Sequence, residues 1–520
     1  MYNIEAFAES LDKVLPNDSS NYELIVQKHT TICSNAPHFT RLTLDLPQYM
    51  NDVSEVIRSF APFITIDTDS NNYINLRVTS NEDTLTVSIE SELSSVSSEH
   101  RITGKDLLEQ KKFNKRFVKN FLYRYCSNLT SIELPYGSLT GVRPTKLVYD
   151  IIKEKSIEMS DVKTYLIENF YLKDDRAQLV LDTVRGQSGI REYGGVDIFI
   201  NIPFCKSRCK YCSFLSTELD KIIKLIPQYV KTLRLEIDSI LRVINEYSLT
   251  VKSIYVGGGT PTVLSTKDLE YLLTGLKTYT SEFTIEAGRP DSIERDTLAL
   301  LSELGVTRIS INPQTFNDET LINLHRGHTV LDVIEKYAMA KEFDFDINMD
   351  LIAGLPGDGF KDFKHSIDQC IRLSPQNITV HSFSLKRGSS LRNDGMVKEM
   401  SGLAMQSMNY AIEALKRADF QPYYMYRQKN TIDNLENIGF TKKSKACIYN
   451  IDYMEDTTSV FAAGAGAMSK FVSRVNNRIE RFHNSKGINE YLERYNDSLN
   501  RIEKLGHLIK NEQTLFNSEN

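Results

Sequence analysis

The sequence has no apolar run that approaches the roughly 20 residues needed by a membrane-spanning helix. Its first residues, MYNIEAFAESLDK (1–13), lack the basic start and apolar core of a signal peptide. Cationic residues are not in excess, since the formal net charge is -6 and no long basic stretch offsets it. These absences predict a cytoplasmic protein without a membrane span or a nucleic-acid partner.

Paired cysteines are also missing. The 520 residues include seven cysteines, and an odd count without paired spacings argues against a disulfide framework and for a reducing compartment. Four of them are scattered along the chain: Cys33, Cys126, Cys370 and Cys447. We expect these four to be inert thiols that serve as small buried hydrophobic side chains.

What the sequence contains is an ordinary globular composition, with 41% hydrophobic and 25% charged residues. Its length allows two or three domains. Changes of pattern predict an N-terminal α+β domain over 1–190, a central domain over 191–394 and a C-terminal domain over 395–520. The C-terminal domain is mostly helical in pattern, apart from an aromatic-rich stretch and the sequence GAGA.

The N-terminal region alternates apolar and polar residues in four short runs, which is typical of half-buried antiparallel strands. The runs are 41–46, 63–68, 74–78 and 84–90. A serine-rich tract at 91–100 predicts a loop, and helical periodicity follows over 115–129 and 161–186. Between these helices, LPYGSLTGVRPTKL (134–147) is either an ordered turn or a cradle for an anion.

From residue 197 the pattern changes to short apolar runs separated by helical segments such as 225–244 and 268–279. Six such runs occur, at 197–202, 251–256, 283–287, 307–311, 345–352 and 377–383. Six β-then-α units predict a parallel sheet and are too few for a closed eightfold barrel. The expected fold class is α/β, a partial (β/α)6 barrel between an N-terminal α+β domain and a mostly helical C-terminal extension.

Three closely spaced cysteines follow the first of these strands, in IPFCKSRCKYCSF (202–214): Cys205, Cys209 and Cys212. Structural zinc sites use four ligands, and this motif contains neither a second cysteine pair nor a histidine. Iron–sulfur clusters are held by thiolates, typically by four. Three cysteines on a four-iron cluster leave one iron free to bind a further group. The spacing CxxxCxxC after a strand therefore favours an iron–sulfur cluster over zinc.

Further candidate residues follow the next strands. Gly257, Gly258, Gly259 and Thr260 come after the second strand, where residues without side chains let the backbone approach a ligand closely. Glu286 ends the third strand, and its carboxylate is suited to accept from a ribose hydroxyl or an ammonium group. Each also has a simpler interpretation, as a tight turn or a solvated carboxylate. Their common position at the chemically active face of such a barrel favours function.

With these motifs the sequence resembles the radical S-adenosylmethionine (SAM) superfamily. The resemblance implies a [4Fe-4S] cluster on Cys205, Cys209 and Cys212 whose fourth iron chelates SAM, and release of a 5′-deoxyadenosyl radical after one-electron reduction. It also implies SAM contacts from the following residues: Gly257, Gly258, Gly259, Thr260, Glu286, Gln314, Arg326 and Asp350. His325 and His328 are expected to be surface or supporting residues rather than metal ligands.

Over about 195–475 the resemblance is closest to the oxygen-independent coproporphyrinogen III oxidase family. TIEAGRPDSI (284–293), FAAGAGAMSKF (461–471) and LTGVRPTK (139–146) resemble its coproporphyrinogen dehydrogenase (HemZ) branch. This implies an enzyme of anaerobic heme biosynthesis that oxidatively decarboxylates two propionates of coproporphyrinogen III to give protoporphyrinogen IX. The implied partners are the tetrapyrrole substrate and an electron donor such as flavodoxin or ferredoxin.

An aromatic and basic stretch in the C-terminal region suits a flat tetrapyrrole that is fringed by carboxylates. Tyr423, Tyr424, Tyr426, Arg427 and Lys429 combine ring faces with cations. Of these, Tyr424, Tyr426 and Arg427 are the candidate substrate contacts. The same pattern also describes a half-buried strand whose long side chains reach solvent.

Two positions depart from the oxidase pattern. Phe214 stands where the oxidase has a further cysteine after the motif, and Phe199 stands where it has a tyrosine before the motif. Position 214 matches instead the relatives that carry heme or act on it. Two alternatives therefore stay open: a heme-binding trafficking protein that keeps the cluster, and a radical SAM enzyme that acts on heme itself.

Overall fold

The computed structural model describes most of the chain, in two compact units. The described residues are 24–27, 41–44, 47–60, 73–91, 95–212, 214, 216–384, 402–428, 431–475 and 478–519. The first unit comprises residues up to 181 together with 427–435, and the second comprises 182–426 and 436–520. The predicted strand at 63–68, Cys33 and Lys429 lie outside the described residues.

The first unit contains a five-stranded sheet whose strands lie in the order β1–β5–β4–β3–β2. The strands are β1 Leu24–Gln27, β2 Arg41–Leu44, β3 Tyr73–Ser80, β4 Thr84–Ser91 and β5 Ser95–Arg101. Most neighbours are antiparallel, as predicted, but β2 and β3 pair in parallel. The antiparallel prediction is therefore wrong for that pair.

The loop predicted at 91–100 is wrong for its second half, because Ser95–Arg101 form β5. Val96, Ser98 and His100 are buried, while the residues between them are more exposed. The high serine content conceals this alternation in the sequence. The strand is fixed by its pairing with both β1 and β4, so tertiary pairing overrides local composition here.

One helix described in this region lies between β2 and β3, and four more follow β5 along the chain. They are α1 Met50–Ser59, α2 Leu107–Thr130, α3 Pro144–Lys155, α4 Met159–Phe170 and α5 Asp174–Gly186. The helix predicted over 161–186 is thus two helices, α4 and α5. The break lies at Tyr171, which takes a left-handed backbone (φ 59°) and donates its N–H to the carbonyl of Ile167.

The second unit is built on an eleven-stranded sheet in the order β14–β15–β13–β12–β11–β10–β9–β6–β16–β17–β18. Its six central strands are mutually parallel: β6 Val196–Ile202, β9 Val251–Gly258, β10 Phe283–Ile285, β11 Arg308–Ser310, β12 Asp346–Ala353 and β13 Asn377–Ser382. These are the six predicted strands, and the α/β class with an open six-unit parallel sheet is confirmed. Strands such as β6 are buried on both faces, which explains why they appear as apolar runs.

Helices connect the six strands. They are α6 Leu219–Ile222, α7 Ile226–Glu246, α8 Thr266–Leu273, α9 Arg295–Glu303, α10 Asp318–Asn323, α11 Val330–Ala340 and α12 Phe360–Leu373. A short pair, β7 Phe204–Cys205 and β8 Thr217–Glu218, lies between β6 and α6. The helix predicted over 268–279 ends at Leu273, because Gly275 takes a positive φ of 88°.

The C-terminal region contributes both helices and strands. The helices are α13 Leu403–Arg417, α14 Ile448–Glu455, α15 Ile488–Glu493 and α16 Tyr495–Glu519. The strands are β14 Gln421–Arg427, β15 Glu436–Thr441, β16 Ser459–Ala463, β17 Met468–Val472 and β18 Ile479–His483. β15 pairs with β13 and β16 pairs with β6, so this region extends both sides of the six-stranded core. None of the helices in the described ranges has the length and apolar character to cross a membrane.

Candidate functional site

The predicted site residues lie on or just after the C-terminal halves of neighbouring parallel strands in the second unit. The loop that carries Cys205 follows β6, Gly257 is near the end of β9, and Glu286 directly follows β10. Gln314 follows β11, and Asp350 lies on β12. The carboxyl ends of parallel strands meet at one edge of a sheet, and this topology brings the predicted residues to the same edge.

The three cysteines lie on a short loop after β6. Cys209 is buried, while Cys205 and Cys212 are partly exposed. The N–H of Cys212 donates to the carbonyl of Cys209 (3.1 Å), and Sγ of Cys205 lies 3.5 Å from Oγ1 of Thr260. Burial raises the pKa of the Cys205 thiol, while its contact with the Thr260 hydroxyl lowers it. Thr260 therefore connects the turn after β9 to the first cysteine.

Arg326 lies against this loop with its guanidinium buried. Nη1 is 3.6 Å from Sγ of Cys209, and Nη2 donates to the carbonyls of Gly288 (2.7 Å) and Asn312 (3.1 Å). The planar fork thus joins the ends of two strands to the second cysteine. In this arrangement it places a fixed positive charge beside a thiol.

A second buried arginine, Arg289, holds the backbone of the cysteine loop. Its Nη1 donates to both the carbonyl (2.8 Å) and the hydroxyl (3.0 Å) of Ser207. Its other two nitrogens donate to the carboxylate of Asp291, at 3.0 and 2.8 Å. Lys206 donates in turn to the carbonyl of Asp291. The segment between the first two cysteines of the motif is therefore anchored through Lys206 and Ser207.

Several buried polar atoms around the loop have no hydrogen-bond partner among the described residues. They are the hydroxyl of Tyr211, both ring nitrogens of His328 and Nε of Arg326. Burial, together with the charge of Arg326, lowers the pKa of His328 to about 3, so this ring is neutral at pH 7. Three thiols beside a buried guanidinium and unpaired polar groups fit a thiolate-bound, negatively charged group.

No three histidine, cysteine, aspartate or glutamate side chains in the described ranges come together at a point suited to one metal ion. A four-iron cluster does not require such a point, because each of its cysteines binds a different iron and the sulfurs need not meet. His325 is exposed and His328 is buried.

Glycines at the end of β9 are required by close contacts with the segment that leads from β6 into the cysteine loop. Gly258 has a positive φ of 106°, and a Cβ there would collide with Oδ1 of Asn201. A Cβ on Gly259 would lie 2.7 Å from the backbone nitrogen of Phe204. The N–H of Thr260 donates to the Phe204 carbonyl over 2.7 Å. These positions therefore hold the turn directly against the start of the cysteine loop.

Glu286 lies over Gly257, where a Cβ would come within 2.8–3.0 Å of its carboxyl atoms. The hydroxyl of Tyr255 donates to Oε1 over 2.7 Å. The pKa of Glu286 is raised to about 7, chiefly by burial and also by the neighbouring charge of Asp350, against the lowering effect of the Tyr255 hydrogen bond. A carboxylate in this position is suited to accept from an ammonium or hydroxyl group of a ligand.

Asp350 and Gln314 are held by neighbouring polar groups. Oδ1 of Asp350 accepts from Nδ2 of Asn348 (2.8 Å), and its Oδ2 lies 3.6 Å from Nε2 of His381. Gln314 has a left-handed backbone (φ 67°), and its N–H donates to the carbonyl of Asp350 (2.9 Å). Non-glycine residues in this conformation concentrate at functional sites, where the surrounding structure enforces them.

The predicted substrate residues have different surroundings. Tyr424 is buried, and its ring fills the space above Gly439, while Tyr426 is half-buried with its ring 6.5 Å from that of Tyr424. Arg427 belongs to the first unit, where its side chain donates to the carbonyls of Leu139 and Asn434. The Arg427 guanidinium therefore donates hydrogen bonds to backbone carbonyls of its own unit.

Sequence reasoning missed three side chains around these groups, of which Tyr255 and His381 contact them and Tyr449 stacks on Tyr255. Tyr255 precedes the glycine run and had a usable signal, since alternation along β9 places it on the same face as Gly257. His381 on β13 had the same kind of signal, because its strand register places it beside the predicted Asp350 strand. Tyr449 had none, because it comes from α14, far along the chain.

A second glycine-rich segment, GAGA (464–467), is held by a buried carboxylate. Oε2 of Glu236 on α7 accepts from the N–H of Gly464 (2.8 Å) and the hydroxyl of Tyr491 (2.6 Å). Oε1 accepts from Nδ2 of Asn484 (2.7 Å). Nδ2 of Asn201, which lies on β6, donates to the carbonyl of Ala465. This network joins the GAGA segment to the strand that precedes the cysteine loop.

Replacing Glu236 with alanine is expected to lower the free energy of unfolding by about 3–5 kcal/mol, because three donors lose their buried acceptor. Denaturant unfolding followed by circular dichroism measures this change. The control is Glu246→Ala at the exposed end of the same helix, which is expected to change stability by less than about 0.5 kcal/mol. Equal effects of the two substitutions would contradict a structural role for the Glu236 network.

The sequence is similar to a known superfamily and to individual proteins within it. Residues 200–370 match the Radical SAM superfamily. The chain is 34% identical over 441 residues to the oxygen-independent coproporphyrinogen-III oxidase-like protein HemZ of Bacillus subtilis, which covers 81% of this chain and 87% of that protein. It is 29% identical over 276 residues to the heme chaperone HemW of Bacillus subtilis, which covers 52% of this chain and 69% of that protein.

Among solved structures, coproporphyrinogen III oxidase (HemN) from Escherichia coli is similar over 61% of this chain and 72% of that chain, with 19% identity and a TM-score of 0.46. The family assignment rests on the sequence matches, because the similarity to the Bacillus subtilis HemZ protein extends over 81% of this chain. The chain belongs to the radical SAM superfamily and, within it, to the oxygen-independent coproporphyrinogen-III oxidase-like proteins.

Proposed function

We propose that the protein is a radical SAM enzyme of anaerobic heme biosynthesis, which converts coproporphyrinogen III to protoporphyrinogen IX. The observation that carries this proposal is the 34% identity to the HemZ protein over 81% of the chain. The arrangement of three cysteines, two carboxylates and buried arginines at one edge of the sheet supports it. The cytoplasmic location and the flavodoxin or ferredoxin partner remain part of the same proposal.

In this proposal Cys205, Cys209 and Cys212 hold a [4Fe-4S] cluster. The residues proposed to surround SAM are Gly257, Gly258, Gly259, Thr260, Glu286, Gln314, Arg326 and Asp350. When bound, the cluster and SAM would supply a 5′-deoxyadenosyl radical, the species that would take a hydrogen atom from the β-carbon of a substrate propionate. The carboxylate then leaves as carbon dioxide, and the remaining electron passes to an external acceptor.

The chain's own residues have separate tasks in this scheme. Glu286 and Asp350 present carboxylates to the ammonium and ribose hydroxyls of the nucleotide. Arg326 keeps a positive charge beside Cys209 and offsets the charge of the thiolates. Cys209 is buried, which limits solvent access at the loop.

The tetrapyrrole is proposed to bind beside Tyr426 in the C-terminal region. Tyr426 is half-buried there, and its ring face is suited to cover part of a macrocycle. Tyr424 supports Tyr426 from the buried side. Because Arg427 bonds backbone carbonyls in the first unit, we do not assign it to a substrate carboxylate.

A second candidate is a heme-binding trafficking protein. Phe214 favours it, because its side chain is 67% exposed directly after the cysteine motif, where it can contact a flat apolar ligand. The similarity to HemW, a heme chaperone, over 52% of the chain also supports this candidate.

Product analysis under anaerobic, reducing conditions distinguishes the candidates. Protein reconstituted with iron and sulfide and supplied with SAM is expected to turn coproporphyrinogen III into protoporphyrinogen IX, with carbon dioxide and 5′-deoxyadenosine as co-products. Chromatography measures all three products, and the Cys205→Ala variant serves as the inactive control. Stoichiometric heme binding with unchanged coproporphyrinogen would favour the trafficking protein. Consumption of added heme would instead show that heme is the substrate.

A further inference from the structure

Three aromatic rings from different elements form one stacked layer inside the second unit. Phe199 of β6 and Tyr255 of β9 are direct partners in the strand register, and their ring centroids lie 6.2 Å apart. Tyr449 of α14 stacks on both, at 4.5 Å from Tyr255 and 6.1 Å from Phe199. From this layer the Tyr255 hydroxyl reaches Oε1 of Glu286. Phe199, at the paired position, has no hydroxyl to offer.

The hydrogen bond from Tyr255 fixes the orientation of the Glu286 carboxylate. Its length of 2.7 Å is that of a normal bond from a hydroxyl to a carboxylate. The carboxyl group lies over the Cα of Gly257, and the N–H of Gly258 also bonds to it. On the glycine side the carboxyl group meets no side chain, while on the tyrosine side it meets a packed ring.

The charge of Glu286 depends on groups from three strands. Burial raises its pKa to about 7, and Asp350 of β12 raises it as well. The Tyr255 hydroxyl, the Gly258 N–H and His381 of β13 lower it. The ring of Tyr449, from α14, stacks on Tyr255. Because the pKa of Glu286 is near neutrality, the loss of one hydrogen bond shifts this carboxyl group toward its protonated form at pH 7.

We propose that Tyr255 is the positioning residue of Glu286, whose carboxylate it holds in place for the ammonium or ribose hydroxyls of SAM. This inference rests on the proposed function, because it requires Glu286 to contact the nucleotide. It assigns Tyr255 a task that its packing does not require, since phenylalanine fills the paired position of the same layer. The hydroxyl, rather than the ring, is the part that matters for SAM binding.

The test compares Tyr255→Phe with Tyr449→Phe, which removes a hydroxyl from the same ring stack but leaves the hydrogen bond to Glu286 intact. Equilibrium dialysis of the anaerobically reconstituted protein measures SAM affinity between pH 6 and pH 9. Tyr255→Phe is expected to weaken binding about 10-fold at pH 7 and Tyr449→Phe less than about 2-fold. Wild-type affinity is expected to rise as the pH increases through about 7, because binding requires the carboxylate form of Glu286. In Tyr255→Phe the same rise occurs at higher pH.

A second readout needs neither cluster nor SAM. Infrared difference spectra of the cluster-free protein show the C=O stretch of a protonated carboxyl group, and the band that is lost in Glu286→Gln belongs to this residue. In Tyr255→Phe the band is expected to persist to higher pH than in wild type. Unchanged SAM affinity and an unchanged band in Tyr255→Phe would overturn the inference, as would equal losses in the two tyrosine variants. If wild-type protein neither binds nor cleaves SAM, the proposed function itself fails.

Discussion

Replacing Cys205, Cys209 or Cys212 individually with alanine is expected to abolish the iron–sulfur cluster and reduce SAM cleavage to background. Each thiolate is proposed to bind one iron, and the fourth iron must stay open for the nucleotide. With two cysteines left, two irons lack a protein ligand, and the buried charge of Arg326 loses part of its counter-charge. Iron and sulfide analysis, visible absorption and the yield of 5′-deoxyadenosine measure the loss.

Three other cysteines provide matched controls. Cys126, Cys370 and Cys447 are buried, and burial raises the pKa of each thiol, so these groups stay protonated and unreactive. Alanine at any of the three is expected to leave iron content and SAM cleavage unchanged. The assignment would be refuted by a variant of the CxxxCxxC motif that keeps four irons and full cleavage.

The sequence predicted the central sheet well because its signal is local. Parallel strands that are buried on both faces have continuous apolar sequences, and helices separate them at regular intervals, so β6, β9 and β12 were recognisable one by one. Of the C-terminal strands, β14 was anticipated only as an alternative interpretation of the tyrosine-rich stretch, and β15 to β18 were not predicted, since they are short and lie among helical segments. Their existence depends on the edges of a sheet that forms from earlier parts of the chain.

The candidate site was predictable in its residues but not in its contacts. The order of motifs placed Glu286 after the third strand and Asp350 on the fifth, and the structure has both strands in the parallel sheet with β11 between them. Sequence could not show that the guanidinium of Arg326 contacts Cys209 and two carbonyls, because those partners lie on three separate segments. Nor could it show that Tyr449 of α14 stacks on Tyr255, since helical periodicity identifies a buried face without naming its partner.

Replacing Gly257 with alanine is expected to weaken SAM binding about 10- to 100-fold while the cluster is retained. The new Cβ would come within 2.8–3.0 Å of the Glu286 carboxyl atoms, which is closer than side-chain carbons approach such groups in folded proteins. Glu286 must then move away from the ligand side or lose its bond to Tyr255. Overpacking of this kind costs about 1–3 kcal/mol. Because the displaced group is the carboxylate proposed to contact SAM, this cost lowers the affinity for SAM.

Gly487→Ala is the control, because a Cβ at that position meets only Cβ of Glu490 at 3.9 Å, an ordinary van der Waals distance. Equilibrium dialysis gives the SAM affinity, and iron analysis verifies that each variant holds its cluster. The effect of Gly257→Ala should shrink when Glu286 is shortened to aspartate in the same chain, since the smaller side chain withdraws its carboxyl group from the new methyl group. An unaltered SAM affinity in Gly257→Ala would show that Glu286 can move without consequence, and that its carboxylate does not contact the nucleotide.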